Sequence, residues 1–338
     1  MILLADRHIP WLDELLPPDI TLIRFDGGRP PAPHLSQANA LLIRTVTKVD
    51  ADLLASAPNL KWIGTATAGF DHIDVDAVRA AGMTLYVAEG CNASAVGDYV
   101  RSAWREVRRE ITARSAKRNV RSEDSYTSHI APRTSIALVG YGFTGKEAEK
   151  QLTKLGVSVL PYDPPLGLPA TWEDVLACDA VSVHVPLTLD GPHQTHHMIS
   201  TSDFARSNWK LIIQASRGGV VDEAALKQWI RQGERDAIVD VWENEPSPDP
   251  ELVQLATLAT PHIAGYSVEA KFRASRMCVE ALCRMLDAGS WMLDGRSIKH
   301  HASGIQLLRD LSDALKASPT AETFKELRNN SALRHEAE

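Results

Sequence analysis

The pattern of apolar and polar positions divides the chain into short apolar runs alternating with amphipathic stretches. Apolar runs at 2–5, 21–25, 40–44, 60–64 and 84–88 have the length of strands, and helical spacing lies between them at 11–16, 51–57 and 75–81. Strands alternating with helices predict βαβ units and a parallel sheet. The same texture returns from Ile136 onward, with strands expected at 157–160, 180–185, 211–215, 236–241 and 258–263 and helices at 172–177 and 222–232. The predicted fold class is therefore α/β, with two doubly wound parallel-sheet domains.

Three further segments complete the plan. Helical spacing over 92–121 carries Val96, Val100, Val107 and Ile111 on one face and many arginines on the other, with Glu106 and Glu110 interleaved. It is expected to bridge two domains with a solvated charged face. The polar run 121–133 reads as a loop. After a helical pattern at 267–285, the tail is more polar, with amphipathic patterns at Ile305, Leu307, Leu308, Leu311 and Leu315 and again at Phe324 and Leu327. That is too little for a separate core, so the tail is expected to pack on a partner surface or a second copy.

The stretch Ile136 to Gly145 brings in chemistry. A buried strand breaks directly into Gly140, Gly142 and Gly145, the spacing G-x-G-x-x-G. One glycine allows the tight turn, one lets a pyrophosphate approach the backbone, and one lets the helix pack on the strand. The helix start then offers bare N–H groups to phosphate. A second strand ends at Asp163, about 20 residues on, where an acid would bind the ribose hydroxyls and favour NAD over NADP. Three polar clusters lie at later strand ends, where open α/β sheets place ligands: Arg217-Gly218-Gly219, Asp240 to Pro246, and Pro261-His262-Ile263-Ala264-Gly265. Taking a hydride from a carbinol needs a base for the hydroxyl proton, an acid to orient that base, and a cation to hold the substrate.

Composition narrows the field. The chain has 338 residues, 44% hydrophobic and 23% charged, and a net charge of −7, which argues against a general nucleic-acid binder. No run approaches the length of a membrane span, and Met1 leads straight into a strand without the basic start of a signal peptide, so no membrane partner and a cytoplasmic location are expected. Cys91, Cys178, Cys278 and Cys283 show no paired spacing, which points to buried or free thiols and no metal site.

Together, Gly140-x-Gly142-x-x-Gly145, Asp163, Arg217 to Asp222, Asp240 to Pro246 and Pro261 to Gly265 resemble the NAD-dependent D-2-hydroxyacid dehydrogenases. Further runs fit a branch of that family acting on a phosphorylated 2-hydroxyacid in vitamin B6 (pyridoxine) biosynthesis. These are Arg44 to Val49, Gly64 to His72, Gly90 to Ala93, Asp163-Pro164-Pro165, Gly265-Tyr266 and Phe324 to Asn330. The resemblance covers nearly the whole chain. It implies two Rossmann-like domains with a cleft between them and a short α-rich C-terminal segment. The domains would be 1–93 with 267–287, flavodoxin-like and substrate-binding; 94–266, binding NAD; and 288–338, a dimerisation-like segment.

The same resemblance implies roles. Arg217 would bind the substrate carboxylate, His262 would accept the hydroxyl proton, and Glu245 would hold His262 and favour its protonated form. Contacts to the cofactor NAD would come from Gly140, Gly142, Phe143, Thr144, Gly145, Asp163, Val185, Asp240 and Gly265. Thr45, Thr67 and Tyr266 would contact substrate, and Arg44 and Lys48 are close enough in sequence to add charge for a phosphate. A homodimer is implied. The chain departs from the family in Thr45 for the usual serine, in Gln214, in Ser331, and in Gly97, Asp98, Arg101, Arg105, Arg108 and Arg109, which make the helix after Asn92 polar. Two alternatives remain: another D-2-hydroxyacid dehydrogenase of the glycerate or phosphoglycerate type, or a NAD-sensing interaction protein without catalysis.

Overall fold

The computed structural model describes residues 1–117, 134–286 and 304–330. The expected loop at 121–133 and Ser331 lie outside them, as do the side chains of Ile111, Ile305 and Leu307. The chain forms two compact units, one of Met1–Asn92 with the helix Val268–Met285, the other of Ala93–Ser267 with the C-terminal helices. No helix among the described residues is long and apolar enough to cross a membrane.

Unit 1 is a five-stranded parallel sheet of β1 (Ile2–Asp6), β2 (Thr21–Phe25), β3 (Ala40–Ile43), β4 (Trp62–Thr65) and β5 (Thr84–Val87), in the order β2-β1-β3-β4-β5. The inner strands β3 and β4 are buried at every position, as a sheet covered on both faces requires. Asp50 and Asp74 accept hydrogen bonds from Leu53 N and Ala77 N and so start the helices Ala51–Ala55 and Val75–Ala80. The helix Val268–Met285 returns to this unit, where Ala274, Cys278, Val279 and Leu282 are buried with Leu3, Ala40 and Trp62.

Unit 2 holds β6 (Ser135–Val139), β7 (Ser158–Tyr162), β8 (Ala180–Val183), β9 (Leu211–Gln214), β10 (Asp236–Val239) and β11 (Leu258–Ala259), all parallel, in the order β11-β10-β9-β8-β6-β7. Strand order reverses at β6, which carries the glycine-rich turn. The long helix Ala93–Lys117 buries Val96, Tyr99, Val100, Trp104 and Val107 against one face of the sheet.

Two expectations need correction here. The charged side of the long helix is not simply solvated: Glu106 is buried and ion-paired with both Arg109 and Arg309, and Asp98 is buried with Arg101 at 2.6 Å. A carboxylate can be buried there because the guanidinium groups satisfy it. The tail, read as needing an outside surface, buries Leu308 and Leu311 on one face of the unit 2 sheet and Leu315 and Phe324 on the other. All four cysteines are buried and free.

Candidate active site

The glycine-rich turn can be tested residue by residue. Gly140 has φ +95°, and a Cβ there would lie 2.7–2.8 Å from the backbone of His184 and Val185. A Cβ on Gly145 would lie 2.2 Å from the Gly140 carbonyl oxygen, so this glycine seats the helix Phe143–Thr153 on the turn. A Cβ on Gly142 would meet nothing within 4 Å. The open space at Gly142 fronts a helix start without a side-chain cap, which suits a pyrophosphate. Beside it, Asp163 closes β7 and accepts a 2.8 Å hydrogen bond from Tyr141 N, which leaves its other oxygen for a ribose hydroxyl. Phe143 is 62% exposed, and Val185 follows the strand β8 against which Gly140 packs. These residues fit a dinucleotide.

The adjacent strands β9, β10 and β11 deliver the remaining groups from their carboxyl ends. Arg217 follows β9, held by a 2.9 Å bond from its Nη1 to the Ser216 carbonyl, and Gln214 Nε2 donates to the Arg217 carbonyl at 2.9 Å. Gly218 then lies so close to the loop after β10 that a Cβ would sit 1.9 Å from the Trp242 carbonyl oxygen. From that loop, Glu245 reaches the loop after β11, where its Oε2 is 2.7 Å from His262 Nδ1. Glu245 also accepts from Trp242 N at 3.1 Å. Burial opposes its ionisation, but the His262 hydrogen bond and charge, the Trp242 amide and Arg328 outweigh it and hold the carboxyl below its usual range.

Asp240 lies beneath this pair. It is fully buried, and its carboxylate accepts from Thr260 Oγ1 (2.6 Å), Ile263 N (2.8 Å) and Ala264 N (2.9 Å), while its carbonyl accepts from His262 N (2.7 Å). Because Thr260 gives its hydrogen to Asp240, Tyr99 must donate to Thr260 across their 2.7 Å contact. His262 has φ +56°, an unfavourable backbone for a residue with a Cβ, and these bonds hold it there. Burial pushes the Asp240 carboxyl up, although the nearby His262 charge and three hydrogen bonds oppose that. Three hydrogen bonds thus tie this carboxylate to the His262 loop, two on Oδ1 and one on Oδ2.

Arg328, within the run Phe324 to Asn330, joins this group although no sequence feature assigned it a role there. It places Nη1 3.9 Å from Glu245 Oε2 and its guanidinium 5.5 Å from the centre of the Tyr266 ring. Gly265 and Tyr266 follow directly, and Tyr266 N donates to the Ile263 carbonyl at 2.8 Å. In unit 1, Thr67 Oγ1 donates to the Gly69 carbonyl at 2.9 Å and so accepts from Thr65 at 2.7 Å, which leaves His72 Nε2 as the donor to Thr65 at 3.2 Å. Burial pushes His72 down against the opposing Asp71 charge, in keeping with this neutral role. Thr45, in contrast, is exposed and its hydroxyl is unengaged among the described residues.

A carboxylate clasp holds the β10 loop. Glu223 Oε1 accepts from Glu243 N at 2.8 Å, and Glu243 Oε1 accepts from Glu223 N at 3.3 Å and meets His197 Nε2 at 2.9 Å. Burial, with repulsion from Glu243 and Asp249, pushes Glu223 up to about 7 despite the Glu243 amide and Lys227. A carboxyl raised from 4.5 in the unfolded chain costs nothing below that pH and destabilises progressively as pH rises through about 7. Glu223→Gln keeps an acceptor for Glu243 N. It should unfold in urea with less loss of stability between pH 5 and pH 8 than wild type, by up to about 3 kcal/mol. Identical pH dependence in the two proteins would refute this account of Glu223.

Comparison with known proteins follows the same outline. The model of the D-isomer specific 2-hydroxyacid dehydrogenase catalytic domain matches residues 29–291. Erythronate-4-phosphate dehydrogenase of Idiomarina loihiensis is 41% identical over 290 residues, covering 83% of this chain and 72% of that protein. The enzyme of the same name from Teredinibacter turnerae is 35% identical over 329 residues, 94% of this chain and 83% of the relative. Among solved structures, protein TT0316 of Thermus thermophilus superposes with a TM-score of 0.66 at 25% identity, over 85% of this chain and 97% of that one. D-lactate dehydrogenase of Aquifex aeolicus, complexed with NAD and lactic acid, gives 0.64 at 23% identity over 89% of this chain and 100% of that one, a likeness of fold.

Proposed function

The chain belongs to the D-isomer specific 2-hydroxyacid dehydrogenases, and on that premise we propose that it oxidises 4-phospho-D-erythronate at C2 to 2-oxo-3-hydroxy-4-phosphobutanoate, a step toward pyridoxal 5'-phosphate. The choice of substrate follows the relatives of that name, which match over most of their length. The observation that carries the chemistry is the 2.7 Å pair of His262 Nδ1, after β11, and Glu245, after β10, the strand next to the β9 that Arg217 follows.

The pair fixes the tautomer. With Nδ1–H donated to Glu245, His262 Nε2 keeps a lone pair to take the hydroxyl proton, and Glu245 balances the imidazolium that forms. Bound NAD would supply the hydride acceptor for C2. Arg217 holds the carboxylate and polarises the oxygen at C2. Gly140, Gly142, Phe143, Thr144, Gly145, Asp163, Val185, Asp240 and Gly265 bind and orient the cofactor; Asp240 also positions His262, and the Asp163 carboxylate disfavours NADP. Thr45, Thr67 and Tyr266 contact the substrate. For Thr67 this requires redirecting a hydroxyl now bonded to Gly69.

The reading includes a cytosolic homodimer. The buried stripe of Leu308, Leu311, Leu315 and Phe324 is used within one chain, so a dimer would draw on other surface; light scattering reads the mass directly. The test of function is NADH formation with 4-phospho-D-erythronate, D-glycerate, D-lactate and 3-phosphoglycerate. The first should have the highest kcat/KM, by at least about 100-fold. Preference for another of these acids would move the protein to a different branch of the family. NAD binding with no turnover of any of them would leave a non-catalytic sensor.

A further inference from the structure

The hydrogen bonds beneath His262 form a directed chain inside unit 2. Its members are Tyr99 on the helix Ala93–Lys117, Thr260 directly after β11 and Asp240 directly after β10, all fully buried. Thr260 is fixed at both of its backbone groups: its N–H donates to the Val239 carbonyl at 2.9 Å, and its carbonyl accepts from Trp242 Nε1 at 3.0 Å. Only its hydroxyl hydrogen has a choice of direction. Asp240 Oδ1, 2.6 Å away, and the Tyr99 hydroxyl, 2.7 Å away, remove that choice, because an ionised carboxylate can only accept and Tyr99 then becomes the donor to Thr260. On its other side the Asp240 carboxylate accepts from the amides of Ile263 and Ala264, the two residues that follow His262.

We propose that Tyr99 and Thr260 are positioning residues of the reaction: they hold Asp240 as a hydrogen-bonded anion, which in turn fixes the left-handed turn that aims His262 Nε2. This rests on the reading of His262 as the base and adds what keeps the base in place. Two of the three donors to Asp240 are amides of the loop that has to be held, so they cannot anchor it by themselves. The third comes from outside that turn, and a donor behind Thr260 polarises its hydroxyl and strengthens its bond to the carboxylate. Burial disfavours the Asp240 charge, so each donor counts. His262 faces Asp240 directly and Tyr99 does so through Thr260, with Glu245 and Arg328 beyond His262. The form competent to take a proton has Asp240 ionised and His262 neutral. Losing a donor to Asp240 makes that form bind its next proton more readily, so the acidic limb of the kcat profile moves to higher pH.

The test is a double-mutant cycle followed by NADH formation from 4-phospho-D-erythronate across the pH range. Tyr99→Phe should lower kcat about 10-fold and Thr260→Val about 100-fold, each with KM within about twofold, while Thr260→Ser should stay within about threefold of wild type. The acidic limb should rise by about half a pH unit in Tyr99→Phe and about one unit in Thr260→Val. On the Thr260→Val background, Tyr99→Phe should have no further effect, since its action runs through the missing hydroxyl. A tyrosine that merely fills the core would leave the limb where it is and give losses that multiply in the double variant. Either of those results overturns the proposal. If Thr260→Val fails to fold, the limb of Tyr99→Phe decides alone. If wild type oxidises none of the acids, the functional reading fails separately, and unfolding in urea reads the chain of hydrogen bonds instead. Thr260→Val should then lose more stability at pH 8 than at pH 5, because the missing donor serves the ionised carboxylate, and an equal loss at both ends the proposal.

Discussion

His262→Ala should lower kcat by about a thousandfold while leaving NAD affinity unchanged. Only one ring nitrogen of His262 can serve as base, since Nδ1 is held by Glu245 at 2.7 Å, and the left-handed backbone fixed by Asp240 sets where Nε2 points. Removing the ring removes the proton acceptor without touching Gly140, Gly142 or Asp163. Glu245→Gln keeps the shape and removes the charge, so it should lower kcat as well, by a smaller factor, because the amide can still orient the ring but cannot balance the imidazolium. Stopped-flow NADH formation reads kcat, and quenching of protein fluorescence reads NAD binding. A His262→Ala enzyme with near wild-type kcat would eliminate His262 as the base. A parallel loss of NAD affinity would show that the residue is structural.

Much of this arrangement was legible in the residues, for reasons that differ by element. The strands are short apolar runs covered on both faces, such as Ala40–Ile43 and Trp62–Thr65, and a run of that kind admits few other placements. Glycines at fixed spacing after a strand point to a turn with severe steric limits, which Gly140 and Gly145 meet with backbone atoms at 2.2–2.8 Å from a notional Cβ. Six residues complete fewer than two turns, and although the equally short Val75–Ala80 and Trp172–Ala177 could be read from their spacing, Thr201–Arg206 and Pro250–Leu255 could not. Their signals were in the caps, Ser200 with Asp203 and Asp249 before Pro250.

Partnerships between distant residues were not legible. Asp240 stands in an acidic motif that suggests a ligand contact, and nothing local announces that Thr260, Ile263 and Ala264, some 20 residues away, will also bond to it. Glu106 looks like a solvated member of a charge run until Arg309 arrives from the tail. Arg328 likewise sits in an amphipathic helix whose apolar face explains its place, and only the fold brings it to Glu245 and Tyr266. The tail therefore contributes both to the core of unit 2 and to the electrostatics of its strand ends.

Gly142→Ala and Gly145→Ala should separate cofactor binding from folding at the glycine-rich turn. A methyl group at Gly145 would collide with the Gly140 carbonyl, which cannot retreat because Gly140 itself touches the backbone of His184 and Val185. The turn or the helix must shift, at a cost of about 3 kcal/mol, and both the unfolding midpoint and NAD affinity should fall. At Gly142 a methyl group meets no protein atom within 4 Å, but φ −76° with ψ −149° lies outside the main regions open to residues with a Cβ, so stability should fall by about 1 kcal/mol, less than at Gly145. The methyl would instead occupy the space before the helix start, where a pyrophosphate must approach the backbone, and NAD affinity should fall by about 100-fold. Thermal unfolding without ligand and titration with NAD measure the two effects independently. Undiminished NAD affinity in Gly142→Ala would mean that the pyrophosphate does not lie at this turn.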